Sequence, residues 1–293
     1  MTIIDTQLGK IQGKSLGNIQ AYFGIRFGQA PVGDLRFKPA VTEGPWQGTY
    51  DATRVRHQAM QPPPMPFFTE IFGRPAEEPT YDEDCLFLNI YTPAADDNKR
   101  PVLYWIHGGG FTSGSGYDYD GRVLAEQGDV VVVTINYRLG LLGFMDMSAF
   151  GDAYQGSASN GVSDQILGLE WVRDNIADYG GDAGNVMIFG ESAGAASVNG
   201  ILAAPRADEL YHRAIAHSGS TASTPPQPIA PLLAGHLGVE HDDLPAKLVG
   251  MSGEEIIAAQ VAIGSGGGVC VDGAVVTRST AQAIAERGTN GVP

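Results

Sequence analysis

The chain has 293 residues, 43% of them hydrophobic and 17% charged, with a net charge of −15. This length and apolar fraction suit one large or two small globular units with a real core. The negative charge repels nucleic acid and anionic membranes, so neither is an expected partner. In chain order, residues 1 to about 50 alternate short polar and apolar runs with many glycines, which predicts a small antiparallel meander at the edge of a larger sheet. Gly24 to Phe37 carries Pro-x-Gly turn chemistry around Arg26 and Arg36, two cations that either pair with carboxylates or sit solvated at the surface.

Residues 61 to 84 are predicted as a long loop. Pro62, Pro63, Pro64 and Pro66 rule out ordinary helix and central strand there. Phe67, Phe68 and Phe72 in this loop need a destination, either over the core or at the mouth of a cleft. Leu86–Tyr91 reads as a strand. Pro101–Ile106 reads as a second, apolar enough to be buried on both faces, and runs straight into His107-Gly108-Gly109-Gly110-Phe111. Three consecutive glycines cost entropy and pack nothing. Taken alone they are most simply a flexible loop; beside a nucleophile they keep backbone N–H groups bare, as oxyanion stabilisation requires.

Val130–Ile135 is a third predicted strand. Ile166, Leu169, Val172 and Ile176 show helical spacing, with Asn160 or Ser163 as the expected cap. Val186–Phe189 is again a strand and leads into Gly190-Glu191-Ser192-Ala193-Gly194, followed by small and apolar residues readable as a buried helix. Strand, tight turn and helix with a serine between glycines is the pattern of a nucleophile elbow. The turn is sharp enough that side chains two places before and after the serine would meet neighbouring backbone. The helix start behind it turns N–H groups towards any oxyanion that forms. Ala214–Ala216 is the last predicted strand, ending at His217-Ser218. Strands thus alternate with helices from about residue 100 to 220, an α/β arrangement with a doubly wound, mostly parallel sheet and its candidate site at the C-terminal strand ends.

Residues 212 to 293 contain no Phe, Tyr or Trp. Residues 229 to 263 are predicted as two short amphipathic helices. Such a segment makes a poor independent core, so it either packs on the sheet as a cap over 221–293 or lacks something it packs against. Two cysteines, Cys85 and Cys270, make no disulfide framework, and no signal peptide is visible at the start, so a cytoplasmic location is expected. No apolar run approaches the ~20 residues of a membrane helix. The six histidines are scattered without metal-ligand spacing.

Several runs together resemble the type-B carboxylesterases, the cholinesterase-like branch of the α/β-hydrolases: Phe23 to Phe37, Glu83-Asp84-Cys85-Leu86-Phe87-Leu88-Asn89, Trp105 to Phe111, Asn136-Tyr137-Arg138-Leu139-Gly140, Asn160 to Gln165, and Gly190 to Gly194. The resemblance covers essentially the whole chain. It implies the α/β-hydrolase fold, with 85–220 as the core sheet and 61–84 as a gorge-like loop, and hydrolysis of neutral carboxylic esters without metal or organic cofactor. Ser192 is then the nucleophile, and Gly109, Gly110 and Ala193 are the oxyanion-hole donors. Glu191 and Ser218 support the site, and Phe67, Phe68, Phe72 and Phe111 are candidates for lining the substrate pocket.

The chain departs from the family pattern at three places. Met60 stands where animal members have a cysteine that pairs with the counterpart of Cys85, and Arg26 stands where the family usually has proline. The family's acid and histidine follow the serine far downstream, beyond the segment that Val271-Asp272-Gly273 resembles. The C-terminal part of the fold, with both groups, is therefore expected to be missing, so that the chain reads as the N-terminal part of a longer bacterial-type enzyme whose remainder is a candidate second chain. His217 adjoins Ser218 on a strand, where neighbours face opposite ways, and is expected to point away from the site. The rival readings are a non-catalytic esterase-like binding protein and an inactive fragment that needs a second chain.

Overall fold

A computed structural model describes residues 1–63 and 80–287. The alternating N-terminal residues form β1 (Thr2–Thr6), β2 (Gly9–Leu16) and β3 (Ile19–Arg26), paired antiparallel as the meander predicts, with β4 (Thr49–Asp51) parallel to β2. β5 (Gln58–Ala59) and β6 (Tyr81–Asp82) make a separate short parallel pair. β7 (Phe87–Thr92) is buried throughout and joins β3 and β9 (Val131–Ile135) antiparallel. From there the sheet is parallel, through β8 (Arg100–Ile106), β10 (Gly181–Glu191) and β11 (Arg213–His217), in the spatial order β1-β2-β3-β7-β9-β8-β10-β11. This is the predicted wound sheet, with strand ends one or two residues from the expected places except for β10, which starts five residues earlier.

The helices cover the two faces unequally. α1 (Arg122–Gly128) packs Ala125 on one face, beside Ile19, Ala21, Tyr91 and Val132. On the other face α3 (Asn160–Asn175) and α4 (Ala193–Leu202) pack Val162, Ile166, Val172, Val198 and Ile201 against Val102, Tyr104, Ile106, Val133 and Ile188. α3 starts at Asn160 after Ser159, so Asn160 and Ser163 lie inside the helix and neither caps it. Burial makes them core residues, and Ser163 instead accepts from Arg206 at 3.1 Å. β8 is not buried on both faces either. Val102, Tyr104 and Ile106 are buried, whereas Leu103 and Trp105 are only partly so. Among the described residues α1 covers β7 and β9 but does not extend over Trp105 and Phe189, whose rings lie 4.7 Å apart, and Ile215 of β11 is 40% exposed.

The aromatic-free C-terminal segment forms three helices between 229 and 263 rather than two: α5 (Ile229–Leu237), α6 (Leu244–Val249) and α7 (Gly253–Ile263), followed by α8 (Thr280–Arg287). A break at Gly250 and the Ser252 capping box start α7 afresh. Ile229, Leu233, Leu244, Leu248 and Ile256 pack with Phe37, Met60, Leu142 and Met145, some of them from α2 (Gly140–Phe144) and the N-terminal third of the chain. The segment therefore borrows its core.

Arg36 ties the two parts together. Its guanidinium makes a bidentate pair with Glu83 at 2.7 and 2.5 Å and donates to the carbonyls of Leu248 at 2.7 Å and Met251 at 2.9 Å, where the end of α6 leaves acceptors free. Arg26 likewise makes a bidentate pair with Asp84, so both arginines of the turn-rich stretch are paired rather than solvated.

The deepest ion pair joins the loop after β9 to α3. Arg138 is 3% exposed and Asp164 is fully buried. Asp164 accepts from Arg138 Nε at 2.8 Å, Nη2 at 2.6 Å and the backbone N–H at 3.0 Å. Removing one partner strands a buried charge, so Asp164→Asn is expected to cost about 3–5 kcal/mol in urea unfolding, whereas Arg138→Met with Asp164→Leu recovers most of it. An unchanged unfolding midpoint for Asp164→Asn would mean that the pair does not hold this loop.

Candidate active site

β8 and β10 run parallel with Ile106 opposite Gly190, so the two chains leave the sheet at the same level and side by side. One continues into His107–Phe111 and the other into Glu191 and Ser192. Ser192 has φ 57° and ψ −119°, a region that costs a non-glycine residue about 1–3 kcal/mol. The flanking glycines make that turn feasible. A Cβ on Gly194 would lie 2.1 Å from the Ile106 carbonyl oxygen, and one on Gly190 2.5 Å from the Gly194 carbonyl carbon. The Ser192 N–H donates to the His217 carbonyl at 2.9 Å, and its own carbonyl accepts from Ala196 at 3.0 Å, which closes the first turn of α4. Ala193 opens that helix, where backbone N–H groups have no intrahelical acceptor.

The glycine loop rests on this elbow. A Cβ on Gly108 would stand 2.8 Å from the Glu191 carbonyl oxygen, 3.0 Å from Glu191 Oε2 and 3.3 Å from Ser192 Cβ. Gly109 and Gly110 are exposed beyond it, and among the described residues neither N–H has a hydrogen-bond partner. Phe111 anchors the far end, its carbonyl accepting from the Gly140 N–H at 2.7 Å and its ring set edge-on to Phe144 at 4.9 Å. The structure thus brings together Ser192, Ala193, Glu191 and the loop from Gly108 to Phe111. Ser218, at φ 59°, is exposed just past the end of β11. Phe67, Phe68 and Phe72 lie outside the described residues.

No histidine ring among the described residues hydrogen-bonds to Ser192. His57 pairs with Thr80, His212 accepts from the Val186 N–H, and His241 faces Asp242. His217 serves the elbow through its carbonyl, with its side chain exposed. His107 has more than the backbone role that its sequence position suggests. It is 1% exposed, its Nδ1 lies 2.7 Å from the Gly108 carbonyl oxygen, and its ring stacks on Tyr137 at 4.4 Å. Burial pushes its pKa down to about 4, which keeps it neutral at pH 7. The Tyr137 hydroxyl donates to the His107 carbonyl at 2.9 Å. The order of residues hides these contacts because thirty positions separate the partners. A histidine set between a buried strand and a triple glycine is the one local hint.

Cys85 is a free, buried thiol whose pKa burial raises, and Met60 lines the same small cavity. Among the described residues no group of three or more His, Cys, Asp or Glu is placed to hold a metal ion, and no helix is long and apolar enough to cross a membrane.

The profile of the Carboxylesterase family matches residues 1–293. The para-nitrobenzyl esterase of Bacillus subtilis (strain 168) is 36% identical over 305 residues, covering 99% of this chain and 61% of that protein. Human carboxylesterase 3 is 35% identical over 309 residues, covering 99% of this chain and 53% of its own length. Among solved structures, the Geobacillus stearothermophilus carboxylesterase at pH 6.2 superposes with a TM-score of 0.84 at 38% identity, covering 97% of this chain and 58% of that one. A thermophilic PNB esterase gives 0.88 at 34%, covering 97% and 60%. The chain therefore spans 53% to 61% of these relatives. A wound sheet with a strained serine at a strand-to-helix turn, a glycine loop laid against it, and this span of similarity place the chain in the carboxylesterase family, with the α/β-hydrolase fold.

Proposed function

We propose that the chain carries the nucleophile and the oxyanion hole of a serine carboxylesterase acting on neutral carboxylic esters. The observation that supports this most is the contact between the glycine loop and the elbow, which leaves the N–H groups of Gly109 and Gly110 unpaired on the side of the sheet where Ser192 emerges. On this reading Ser192 Oγ attacks the ester carbonyl carbon and gives its proton to a base. The carbonyl oxygen takes up the charge and is held by Gly109, Gly110 and Ala193, each donor contributing about 3 kcal/mol to the transition state. The carbon–oxygen bond to the alcohol then breaks, the alcohol leaves with the proton, and water hydrolyses the acyl-enzyme by the same steps. Glu191 and Ser218 border the site as supporting polar groups, and Phe111 lines the pocket. Pocket shape sets the acyl and alcohol groups accepted.

The acid and the base are assigned to the part of the relatives' length that this chain does not span. The motivating observation is that no His ring among the described residues hydrogen-bonds to Ser192: His57, His107, His212 and His241 have other partners, and His217 and His236 are exposed. Without a base, Ser192 is a neutral hydroxyl and a weak nucleophile. β11 pairs on one side only among the described strands, its own Ile215 is exposed, and Trp105 of β8 and Phe189 of β10 are only partly buried. Both features support a further segment that completes the sheet.

Two outcomes are expected. A fluorophosphonate probe labels the complete enzyme at Ser192, and Ser192→Ala removes both the label and about 10⁶-fold of kcat on a short-acyl aryl ester; wild-type turnover by the alanine variant would remove Ser192 from the mechanism. Residues 1–293 alone melt at low temperature and hydrolyse such esters weakly, and both properties improve when the remainder is supplied as a second chain. Full turnover by the 293-residue chain, confirmed by intact mass, would show that a histidine within it serves as the base.

A further inference from the structure

The buried hydroxyl of Tyr137 sits among hydrogen bonds that join β8 to α3, α3 to α4, and the loop after β9 to the glycine loop. Tyr104 of β8 donates to the Gln165 carbonyl of α3 at 2.8 Å. The Gln165 side-chain amide donates to Ser197 Oγ of α4 at 2.9 Å. The Ser197 hydroxyl faces the Tyr137 phenol oxygen, and the Tyr137 hydroxyl donates to the His107 carbonyl at 2.9 Å. Gln165, Ser197 and Tyr137 are fully buried and His107 is 1% exposed.

Peptide geometry gives these bonds a consequence at the site. In a trans peptide the carbonyl and the following N–H point in opposite directions, so pinning one aims the other. The His107 carbonyl is pinned by Tyr137, which aims the Gly108 N–H at the Tyr119 phenol. The Gly108 carbonyl is pinned by His107 Nδ1. A carbonyl only accepts, so Nδ1 carries the proton, and Nε2 is left as a buried acceptor without a partner. The Gly109 carbonyl is pinned by the N–H groups of Thr112 at 3.1 Å and Ser113 at 3.0 Å. Three consecutive carbonyls thus each have a hydrogen-bond donor, while the N–H groups of Gly109 and Gly110 have no partner among the described residues.

We propose that Tyr137 is a positioning residue: by donating its hydroxyl to the His107 carbonyl and by stacking on the His107 ring, it sets the direction of the Gly109 and Gly110 amides relative to Ser192. The proposal rests on the oxyanion-hole reading of the glycine loop. Ser197 lies on the helix that Ser192 precedes, five residues after the nucleophile, so Tyr137 stands between that helix and the glycine loop.

The test compares Tyr137→Phe, which keeps the ring stack and deletes the hydroxyl, with Tyr179→Phe as a matched control. Tyr179 is equally buried, and its hydroxyl has no partner among the described residues. Amide hydrogen exchange on the 293-residue chain is expected to quicken about five- to tenfold in Tyr137→Phe at Thr112 and Ser113, whose N–H groups hold the Gly109 carbonyl, the change that the loss of one buried hydrogen bond of ordinary strength produces. Strands β7 and β9 and the Tyr179→Phe control keep wild-type exchange. In a chain that reacts with a fluorophosphonate, the maximal labelling rate at Ser192 falls by a similar factor while the concentration for half-maximal rate stays unchanged. Should Tyr137→Phe fail to fold, Ser197→Ala carries the same comparison, with faster exchange again confined to the loop. Unchanged exchange at Thr112 and Ser113, or an equal rise in the control, overturns the proposal. A wild-type chain that never labels at Ser192 counts against the proposed function alone, since exchange reads the loop whether or not the chain reacts.

Discussion

The parallel register between β8 and β10 is the constraint on which the site depends. With Ile106 opposite Gly190, the last carbonyl of one strand meets the turn of the other at backbone distance. A two-residue shift would carry the glycine loop ~7 Å along the strand, beyond the reach of any hydrogen bond from Gly109 to a group on Ser192. The register is held because Val102, Tyr104 and Ile106 share one buried face with Val186 and Ile188, and a one-residue slip would turn every one of these side chains outward. The positive φ at Ser192 is the local cost of making the turn at that level. It is sustained by the packed helix behind it and the His217 carbonyl in front.

Two buried ion pairs then hold the loops that the sheet does not. Arg138 and Asp164 fasten the segment after β9 to α3, and the same segment contributes Tyr137 to the glycine loop and Gly140 to the Phe111 carbonyl. Arg36 and Glu83 fasten the turn-rich N-terminal stretch to the end of α6. Each pair satisfies guanidinium N–H groups with backbone carbonyls as well as a carboxylate, which offsets the desolvation that an isolated buried pair would suffer. The acidic chain uses its few cations at junctions between elements, which is why charge that reads as surface in composition is found inside.

What was legible in the sequence was local. Apolar runs at β8, β9 and β10 announce strands, and a serine between glycines after such a run announces a turn, because strand burial and backbone sterics act over a few residues. The antiparallel meander over β1 to β3 was legible for the same reason. Features decided by distant partners were not. Asn160 and Ser163 have the side chains of caps, yet α3 starts one residue earlier because the 3-10 turn from Ser157 to Ser159 leads straight into it. Leu103 and Trp105 look as buried as Val102, but which face of a sheet is covered depends on other elements. The three helices between 229 and 263 share one apolar pattern, and only the break at Gly250 divides the last two. His107 and Tyr137 were quoted within separate motifs, and nothing along the chain says that the two rings stack.

The division of labour on the proposed reading follows from what each part of the chemistry demands. Holding an oxyanion requires only backbone N–H groups fixed in direction, and a sheet end with a glycine loop and a helix start supplies them within one stretch of chain, from 106 to 193. Activating a serine requires a titratable ring whose proton affinity is matched to neutral pH and whose approach is set by a carboxylate. His107 is close to the elbow but is unsuited to that task, since burial lowers its proton affinity and its ring makes no hydrogen bond to Ser192 among the described residues. Its position makes it a structural ring instead. The Gly108 carbonyl, which only accepts, fixes the ring's tautomer with the proton on Nδ1, and that proton holds the carbonyl in place. On the proposed reading, stabilisation of the transition state is built into the sheet and its loops, and activation of the nucleophile depends on a group brought to Ser192 from outside the described residues.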